Sequence, residues 1–335
     1  MDATPITLTA DDLARARDVV ARHVPRTPTR RWPLLERALG AEVWVKHENH
    51  NPTGAFKVRG GLTFMDHLRE TGNTAGVISA SRGNHSQSLA FAGLVYDIPV
   101  TIVVPEGNSP DKNAAAAAFG AELIEYGDDF QTALERSRDL ADQRGLTAVP
   151  PFHPWLIDGV ATYAAELHED APGVDVVYVP VGMGSGICGN ILVRDLIGAD
   201  TEIVGVVAEG APAYALSFEA GEVVSTAGAD TLVDGVACRV PDPVALATIR
   251  RGAARIVTVS DRQAQEAMVL MYRSTHNLAE PAGVISLAAA MAERDRNAGR
   301  RVGVVNSGGN ADFDVLRDAF EAVGPTSLHR VREVS

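Results

Sequence analysis

A turn leads directly into a predicted helix in the stretch Asn51-Pro-Thr-Gly-Ala-Phe-Lys57-Val-Arg-Gly60. Asn-Pro-Thr-Gly is typical turn chemistry, and a short apolar strand is predicted just before it, at residues 41–45. Lys57 is therefore expected on the first turn of the helix. There the positive helix end and nearby apolar packing would lower the pKa of its amine. A free amine forms a Schiff base with a carbonyl compound; the alternative is a solvated surface lysine.

Apolar runs rich in β-branched residues alternate with helical runs along the rest of the chain. Continuous apolar strands separated by helices indicate parallel sheets with helices on both faces, so the predicted fold class is α/β. Strands are predicted at 43–45, 76–79, 100–104, 122–125, 174–180, 202–208 and 302–306. Helices are predicted at 11–23 (with Asp11 as the cap), 58–71, 85–96, 111–119, 129–143, 159–168, 186–197, 261–274 and 283–298.

The length of 335 residues exceeds the usual size of one hydrophobic core and predicts two domains. The proline-rich segment 149–154 is interpreted as a crossing between them. We expect a large discontinuous domain formed by residues 1–70 and 151–335. Residues 71–150 are expected to form a small domain.

Composition excludes several classes of partner. The formal net charge is -13 without a long basic cluster, so nucleic acid and anionic membranes are not expected as partners. Two cysteines, Cys188 and Cys238, cannot form a disulfide framework. Asp2, Asp11 and Asp12 lie where a signal peptide would be basic and then apolar, and no apolar stretch reaches the roughly 18 residues of a membrane span. A cytoplasmic protein is expected.

Three glycine-containing loops follow predicted strands, where ligands bind in open α/β sheets. The first, at 79–85, ends at a helix start, whose amides suit a carboxylate. The second, at 182–189, has glycines that allow several amides to surround a phosphate. The third occupies 306–310. Each loop alone is equally consistent with an ordinary strand-to-helix turn.

The second loop also contains Gly184-x-Gly186-x-x-Gly189, the pattern of a dinucleotide-binding fold, and Glu209 is an acid about 20 residues on. That interpretation is disfavoured for two reasons. The loop comes late in the chain, not in the first strand–helix unit. It also leaves Lys57 and the other two loops without a role.

Taken together, these motifs resemble the fold type II pyridoxal-phosphate enzymes, and most closely the threonine/serine dehydratase and serine racemase family. The resemblance covers about residues 19–313. It implies two open, mostly parallel twisted sheets with helices on both faces and the cofactor, pyridoxal 5′-phosphate, between two domains. It also implies a homodimer. The motifs that carry it are 51–60, 81–85, 180–189, Asp234-Gly235, Glu280-Pro-Ala-Gly283 and Ser307-Gly-Gly-Asn310.

The resemblance assigns the cofactor contacts residue by residue. Lys57 is similar to the Schiff-base lysine that later takes the substrate α-proton. The phosphate is expected on the loop formed by Gly182, Met183, Gly184, Ser185 and Gly186. Around the ring, Asn84 would bond the 3′-oxygen and Ser307 the pyridine nitrogen. Phe56 would pack on the ring, with plain core packing as its alternative, and Glu280 would approach the ring oxygen side unless it is an ordinary helix-start acid.

The substrate carboxylate is expected on the first loop, which the resemblance identifies with Ser81, Arg82, Gly83, Asn84 and His85. His85 is interpreted as a helix-start residue and not as a general base. Because a hydroxyl at Ser307 leaves the pyridine nitrogen unprotonated, the electron sink is weaker than with a carboxylate. The hypothesis is therefore β-elimination of water from a β-hydroxy amino acid such as threonine or serine, giving a 2-oxo acid and ammonia. The cofactor phosphate would protonate the leaving hydroxyl.

The chain departs from the family at three places. Racemising relatives carry a serine where this chain has Arg82, and a guanidinium does not readily give up a proton. Arg82 would instead bind a second anionic group on the substrate, as in 3-hydroxyaspartate, or form a salt bridge with a neighbouring acidic residue. No divalent metal is expected, because Glu209 is followed by Ala215 where relatives have an acid. About 20 residues follow Asp312, so no regulatory domain is expected.

Two further functions stay open. One is an amino-acid racemase, or a lyase that eliminates a different leaving group. The other is a catalytically silent relative that uses the cofactor site for ligand binding. Lys57 argues against the silent relative, because ligand sensing does not need an imine-forming residue.

Overall fold

The computed structural model describes residues 3–324 and contains two mostly parallel sheets between helices. Asp2, used above against a signal peptide, and residues 325–335 lie outside the described part. The strands are β1 (Thr29–Arg31), β2 (Glu42–His47), β3 (Val77–Ala80), β4 (Val100–Val104), β5 (Glu122–Glu125), β6 (Thr147–Ala148), β7 (Val176–Pro180), β8 (Glu202–Ala208), β9 (Arg255–Val259) and β10 (Arg301–Asn306).

Helices connect the strands and cover both faces of the sheets, as expected for the predicted α/β fold. They are α1 (Ala10–Ala21), α2 (Pro33–Leu39), α3 (Lys57–Glu70), α4 (Asn84–Tyr96), α5 (Pro110–Ala118), α6 (Phe130–Arg144), α7 (Pro154–Asp170), α8 (Ser185–Leu196), α9 (Ala213–Ala220), α10 (Pro243–Gly252), α11 (Asp261–Thr275), α12 (Pro281–Ala292), α13 (Arg294–Asn297) and α14 (Phe313–Val323).

The larger sheet has six strands in the order β1-β2-β10-β7-β8-β9, and only β1 is antiparallel to its neighbour. The smaller sheet has four parallel strands in the order β5-β4-β3-β6. The predicted fold class is confirmed. The smaller sheet is formed from residues 77–148, and the division into two domains stays a prediction.

Both faces of the six-stranded sheet are buried, which explains its continuous apolar strands. In β7, Val176 and Tyr178 pack into the core on one face, while Val177 and Val179 pack into the core on the other. Successive side chains of a strand point to opposite faces. A strand that is covered on both sides therefore needs apolar residues at every position, and it shows no alternation in the sequence.

Several predicted boundaries were wrong. Helix α1 is capped by Thr9 and not by Asp11, because Thr9 and Asp12 form a reciprocal capping box. Helix α7 begins at Pro154, inside the segment interpreted as a domain crossing, since proline is well suited to the first position of a helix. Strand β9, at the edge of its sheet, was missed although its residues 256–259 form a β-branched run.

The part of the chain from residue 3 to residue 324 has no helix with the length and apolarity needed to cross a bilayer. In the same range, no three His, Cys, Asp or Glu side chains cluster in a way that could hold a metal ion.

Candidate active site

Three sequence motifs meet at the carboxyl ends of three adjacent strands. Lys57 follows β2, Ser307 follows β10 and Gly182 follows β7, and these strands are neighbours in the sheet. The turn before Lys57 is bonded directly to the loop after β10. The Phe56 amide donates to the Ser307 carbonyl (3.1 Å), and the Gly309 amide donates to the Gly54 carbonyl (2.8 Å). Two motifs far apart in sequence therefore form one hydrogen-bonded unit.

Lys57 is the first residue of α3 and is partly exposed. Its Nζ lies 5.1 Å from the centre of the Phe56 ring. Within residues 3–324 it forms no ion pair. Burial lowers the pKa of Lys57 to about 8, and the nearby Glu280 carboxylate opposes that shift. The lowered pKa predicted from the sequence is therefore present, and its main cause is burial.

Glu280 lies just before α12 and is 5% exposed. Burial raises its pKa to about 7, against the opposing influence of Lys112 and the Asn84 hydrogen bond. Its Oε1 accepts a hydrogen bond from Asn84 Nδ2 (2.6 Å). A side chain at Gly308 would collide with the same oxygen, since a Cβ there would lie 2.2 Å from it. The close approach of this loop to Glu280 accordingly requires glycine.

Asn310 links three loops of the site and was not assigned a role from the sequence. Its Nδ2 donates to the Thr53 carbonyl and to Asn84 Oδ1, both at 2.8 Å. Asn84, on the first turn of α4, is thus held between Asn310 and Glu280. Asn84 belongs to the side of the smaller sheet, and Thr53, Glu280 and Asn310 belong to the side of the larger sheet. The four residues fix the relative position of the two halves at the site.

The glycine loop after β7 ends at the start of α8. Gly184 has a φ of +99°, and a Cβ there would lie 2.9 Å from Ala245 Cβ. A Cβ on Gly182 would lie 2.5 Å from the Gly235 carbonyl oxygen. The Met183 carbonyl accepts a hydrogen bond from Tyr214 Oη (3.0 Å), which fixes the peptide orientation. Because the first amides of a helix lack intrahelical partners, this loop fits a phosphate group.

The remaining residues of this loop and its surroundings support that arrangement. Ser185 is buried as the first residue of α8, and Gly186 accepts a hydrogen bond from Tyr163 Oη (3.3 Å). Phe56 packs edge-on against Tyr163, with ring centres 5.8 Å apart. Ser307 is buried at the end of β10, and its hydroxyl donates to the Ala282 carbonyl (3.2 Å).

The loop between β3 and α4 is shaped by Ser81. Its Oγ accepts hydrogen bonds from the amides of Gly83 (3.3 Å) and Ser86 (3.1 Å). The amides of Asn84 and His85 open α4 and are the ones placed to meet an anion. His85 is buried, and burial lowers its pKa to about 3, so the ring is neutral and a weak base. The helix-start interpretation of His85 agrees with this placement.

Arg82 lies at the mouth of the site and is exposed. Over the described residues it forms no salt bridge, and its carbonyl accepts a hydrogen bond from Asn108 Nδ2 (3.3 Å). A cleft of about 280 Å³ opens beside it. Its charged lining residues are Arg82, Glu106, Lys112, Asp234, Glu280 and Asp312.

Sequence reasoning assigned no role to four of these charged residues, Glu106, Lys112, Asp234 and Asp312, or to Asn310. Asp234-Gly235 was named as a motif of the resemblance, without a role for its carboxylate. Lys112 lies in a helical segment beside an alanine run and has no motif of its own. Its position in the cleft follows only from the packing of α5 against the first loop.

Comparison with known proteins identifies the family. A family described as "Pyridoxal-phosphate dependent enzyme" matches residues 20–308. The chain is 32% identical to an L-threonine ammonia-lyase of Thermotoga maritima, over 92% of this chain and 77% of that enzyme. It is also 32% identical to an L-threo-3-hydroxyaspartate ammonia-lyase of Saccharomyces cerevisiae, over 91% of this chain and 94% of that enzyme.

Among solved structures, maize serine racemase superposes with a TM-score of 0.88 at 26% identity, covering 94% of this chain and 97% of that one. The family match includes every strand of both sheets and extends into the loop after β10, and the named relatives include ammonia-lyases at 32% identity. The chain therefore belongs to the family of pyridoxal-phosphate-dependent enzymes, in the group of ammonia-lyases and dehydratases.

Proposed function

We propose that the enzyme removes water from a β-hydroxy amino acid such as threonine or serine and releases a 2-oxo acid and ammonia. The observation that carries the proposal is the position of Lys57. Its amine has a lowered pKa and no ion pair within the described residues. It is close enough to His85 of the carboxylate-type loop at 81–85 to lower that ring's pKa, and the adjacent Phe56 packs on Tyr163, which donates to Gly186 of the phosphate-type loop at 182–186.

The residues of the site fit pyridoxal 5′-phosphate. Lys57 would hold its aldehyde carbon, the amides of 182–186 its phosphate, and Ser307 its ring nitrogen. Phe56 would pack on the ring, with Asn84 and Glu280 on the ring oxygen side. When bound, the cofactor supplies an electron sink for a carbanion at the substrate α-carbon. A hydroxyl partner such as Ser307 stabilises a neutral ring nitrogen, which suits a brief carbanion followed by loss of a β-substituent.

Lys57 is suited to take the α-proton. A base with a pKa of about 8 is matched to proton transfer near neutral pH. The amides at the start of α4 would hold the α-carboxylate and so orient the Cα–H bond. The proton from Cα and the hydroxide from Cβ leave as water. The enamine product then takes up water and yields the 2-oxo acid and ammonia.

A second candidate substrate is a β-hydroxy amino acid with a second carboxylate, such as 3-hydroxyaspartate. Arg82 favours it, because its exposed guanidinium at the cleft has no salt bridge in residues 3–324. A guanidinium binds a carboxylate through two parallel hydrogen bonds. One relative at 32% identity is named for this substrate. Arg82 also disfavours racemisation, which needs a group that gives up a proton at this position.

A panel of amino acids tests the proposal. Purified enzyme loaded with the cofactor should release 2-oxo acid from threonine, serine or 3-hydroxyaspartate, and Arg82→Ala should selectively raise the KM for 3-hydroxyaspartate if Arg82 binds its second carboxylate. Inversion of serine without 2-oxo acid would identify a racemase. Cofactor absorbance without turnover of any member would identify a silent ligand-binding protein. Either result would contradict the proposed dehydratase.

We also propose a cytoplasmic homodimer. The two cysteines are buried and unpaired, as a reducing compartment allows. Apolar side chains that a partner subunit could cover include Phe313, which is 72% exposed, and Leu278 and Tyr272. Light scattering of the eluted protein would measure the assembly, and a monomer at micromolar concentration would contradict the dimer.

A further inference from the structure

Lys112 is a cation held against the loop that is expected to bind the substrate carboxylate. A Cβ built on Gly83 would lie 3.2 Å from Lys112 Cδ and 3.8 Å from Nζ. Gly83 directly precedes Asn84 and His85, whose amides open α4. An anion that accepts from those amides is therefore within reach of the Lys112 side chain. Only 14% of that side chain is exposed, so most of it is packed against neighbouring residues.

The start of α5 holds Lys112 in this position. Ser109 caps the helix by accepting a hydrogen bond from the Lys112 amide (3.2 Å). The Ser109 hydroxyl in turn donates to Asp312 Oδ1 (2.6 Å), next to the loop after β10. The first turn of α5 is thus fixed to both halves of the site. The ammonium is presented by a fixed backbone, with only its own torsions left to adjust.

The counterion of Lys112 is exchangeable. Asp234 Oδ2 lies 3.5 Å from Nζ, and the Asp234 side chain is 47% exposed. At that distance and exposure, the pair is worth little. A substrate carboxylate held on the loop amides would compete well with it, because a charge-assisted bond in a closed site is stronger than one in water. Neither Lys112 nor Asp234 has a role in the reaction proposed above.

We propose that Lys112 binds the α-carboxylate of the substrate together with the 81–85 loop, and that Asp234 is the counterion that it leaves when the substrate enters. This inference rests on the proposed function, since it assumes an amino acid whose carboxylate lies on that loop. It adds a cation to a set of neutral donors. It also predicts that any α-amino acid uses Lys112, whatever its β-substituent.

Binding of unreactive ligands to the cofactor-loaded enzyme tests the inference. Glycine has the amine and the α-carboxylate but no β-substituent, and glycinamide lacks the carboxylate. Lys112→Met should weaken glycine binding roughly 10- to 100-fold, measured by the change in cofactor absorbance, because it removes one charged hydrogen bond. Glycinamide binding should not change. Lys112→Arg should restore most of the glycine affinity, because it keeps the charge.

Asp234→Asn separates carboxylate binding from a simple contact between the two halves. If Lys112 binds the carboxylate, removing its competing counterion should tighten glycine binding by up to about threefold. If the Lys112–Asp234 pair only holds the halves together, Asp234→Asn should weaken glycine as Lys112→Met does, and the inference is overturned. Wild-type glycine affinity in Lys112→Met would overturn it as well.

A selective effect on 3-hydroxyaspartate, with glycine unaffected, would place the ammonium at the second carboxylate and also contradict the inference. Failure of the proposed function is separately visible. In that case the wild-type enzyme would form no 2-oxo acid from any panel member, whatever the glycine titrations show. Circular dichroism of each variant checks that it is folded.

Discussion

Two lysines, the fully buried Lys46 and the partly exposed Lys57, lie eleven residues apart with opposite surroundings. Lys46, at the end of β2, donates to the Thr27 carbonyl (2.9 Å) and pairs with Glu166. Arg59 pairs with Glu48 (2.8 Å) and Glu166 (2.7 Å), so two cations face two carboxylates. We call Lys46, Glu48, Arg59 and Glu166 the buried ion cluster.

The site around Lys57 lacks such pairing of cations with carboxylates. In residues 3–324 its amine has no ion pair, and Glu280 nearby is buried with a pKa raised to about 7. Burial without a partner costs free energy, which the ion cluster avoids by pairing its charges. Buried charges that are fully paired with one another, as in the buried ion cluster, stabilise the fold. A region whose buried ionisable groups lack ion-pair partners is instead suited to bind a ligand, here the cofactor and its substrate.

The largest expected effect is on turnover. Lys57→Ala should reduce kcat by about 10⁴-fold or more, because it removes both the cofactor attachment and the base. The cofactor absorbance band should be lost, while the free energy of unfolding of the cofactor-free protein should not fall. Lys46→Met is the matched control and should lose stability, since it leaves Glu166 short of a partner. Wild-type turnover in Lys57→Ala would contradict the site assignment.

The next effect is on stability, in the buried ion cluster. Arg59→Met should lower the free energy of unfolding by about 3–5 kcal/mol, because Glu48 and Glu166 remain buried without their main cation. Urea denaturation of the cofactor-free protein measures this loss. Arg262→Met, which removes an exposed pair with Glu266, should cost less than about 1 kcal/mol. Equal losses of stability in the two variants would refute the distinction between the buried ion cluster and an exposed ion pair.

The sign of a pH effect should differ between the two regions. The folded-state pKa of Glu280 is raised to about 7, so the folded protein binds this proton more tightly than the unfolded chain does. Its stabilising contribution is present below pH 4.5 and is lost as the pH rises through 7. Glu280→Gln should therefore match the wild type at pH 4.5 and be more stable by about 2–3 kcal/mol at pH 8.

Glu166→Gln should behave in the opposite way. Its hydrogen bonds and ion pairs with Arg59 and Lys46 lower the pKa of Glu166 despite its burial. Its contribution is therefore present at pH 8 and is lost as the pH falls through the lowered pKa. The variant should be less stable than the wild type at pH 8, with a difference that shrinks in acid. Denaturant titrations of both cofactor-free variants at pH 4.5 and pH 8 measure the two signs. If both variants differed from the wild type in the same direction at pH 8, the predicted difference between the two regions would be wrong.

The sequence predicts those parts of the site that depend on local chain geometry. Lys57 follows a recognisable turn, and Gly184 belongs to a loop whose spacing indicates close backbone approach. Lys112 and Asn310 could not be placed in this way. Their roles depend on contacts with residues of other loops, Gly83 for Lys112 and both Thr53 and Asn84 for Asn310. Such contacts arise from the packing of the two sheets, for which no local pattern exists.

The same distinction holds for the fold. Strands β4, β5 and β8 have the predicted limits, because each is a compact run between clear turns. Strand β9 and the start of α7 were missed. The first lies at the edge of its sheet with mixed burial, and the second begins at a proline within an apparent linker. Edge strands and helix starts depend on what packs beside them more than on their own composition.

The smallest effect concerns the phosphate-type loop. Gly184→Ala should lower cofactor affinity about tenfold, since the residue has a φ of +99° and a Cβ would lie 2.9 Å from Ala245 Cβ. The shift needed to relieve that contact displaces the amides at the start of α8. Gly198→Ala is the matched control, with a φ of +66° and nothing within 4 Å of the added carbon. It should lose only about 1 kcal/mol of stability.

Titration of the cofactor-free variants with pyridoxal 5′-phosphate, followed by absorbance, measures both affinities. Gly198 carries the backbone strain without the contact near the site. The difference between the two variants therefore isolates the position of the loop amides from the general effect of replacing a glycine with positive φ. If both variants bound the cofactor equally well, the phosphate would have to be held elsewhere. The Lys57 amine, which has no ion pair within residues 3–324, would then need a different explanation.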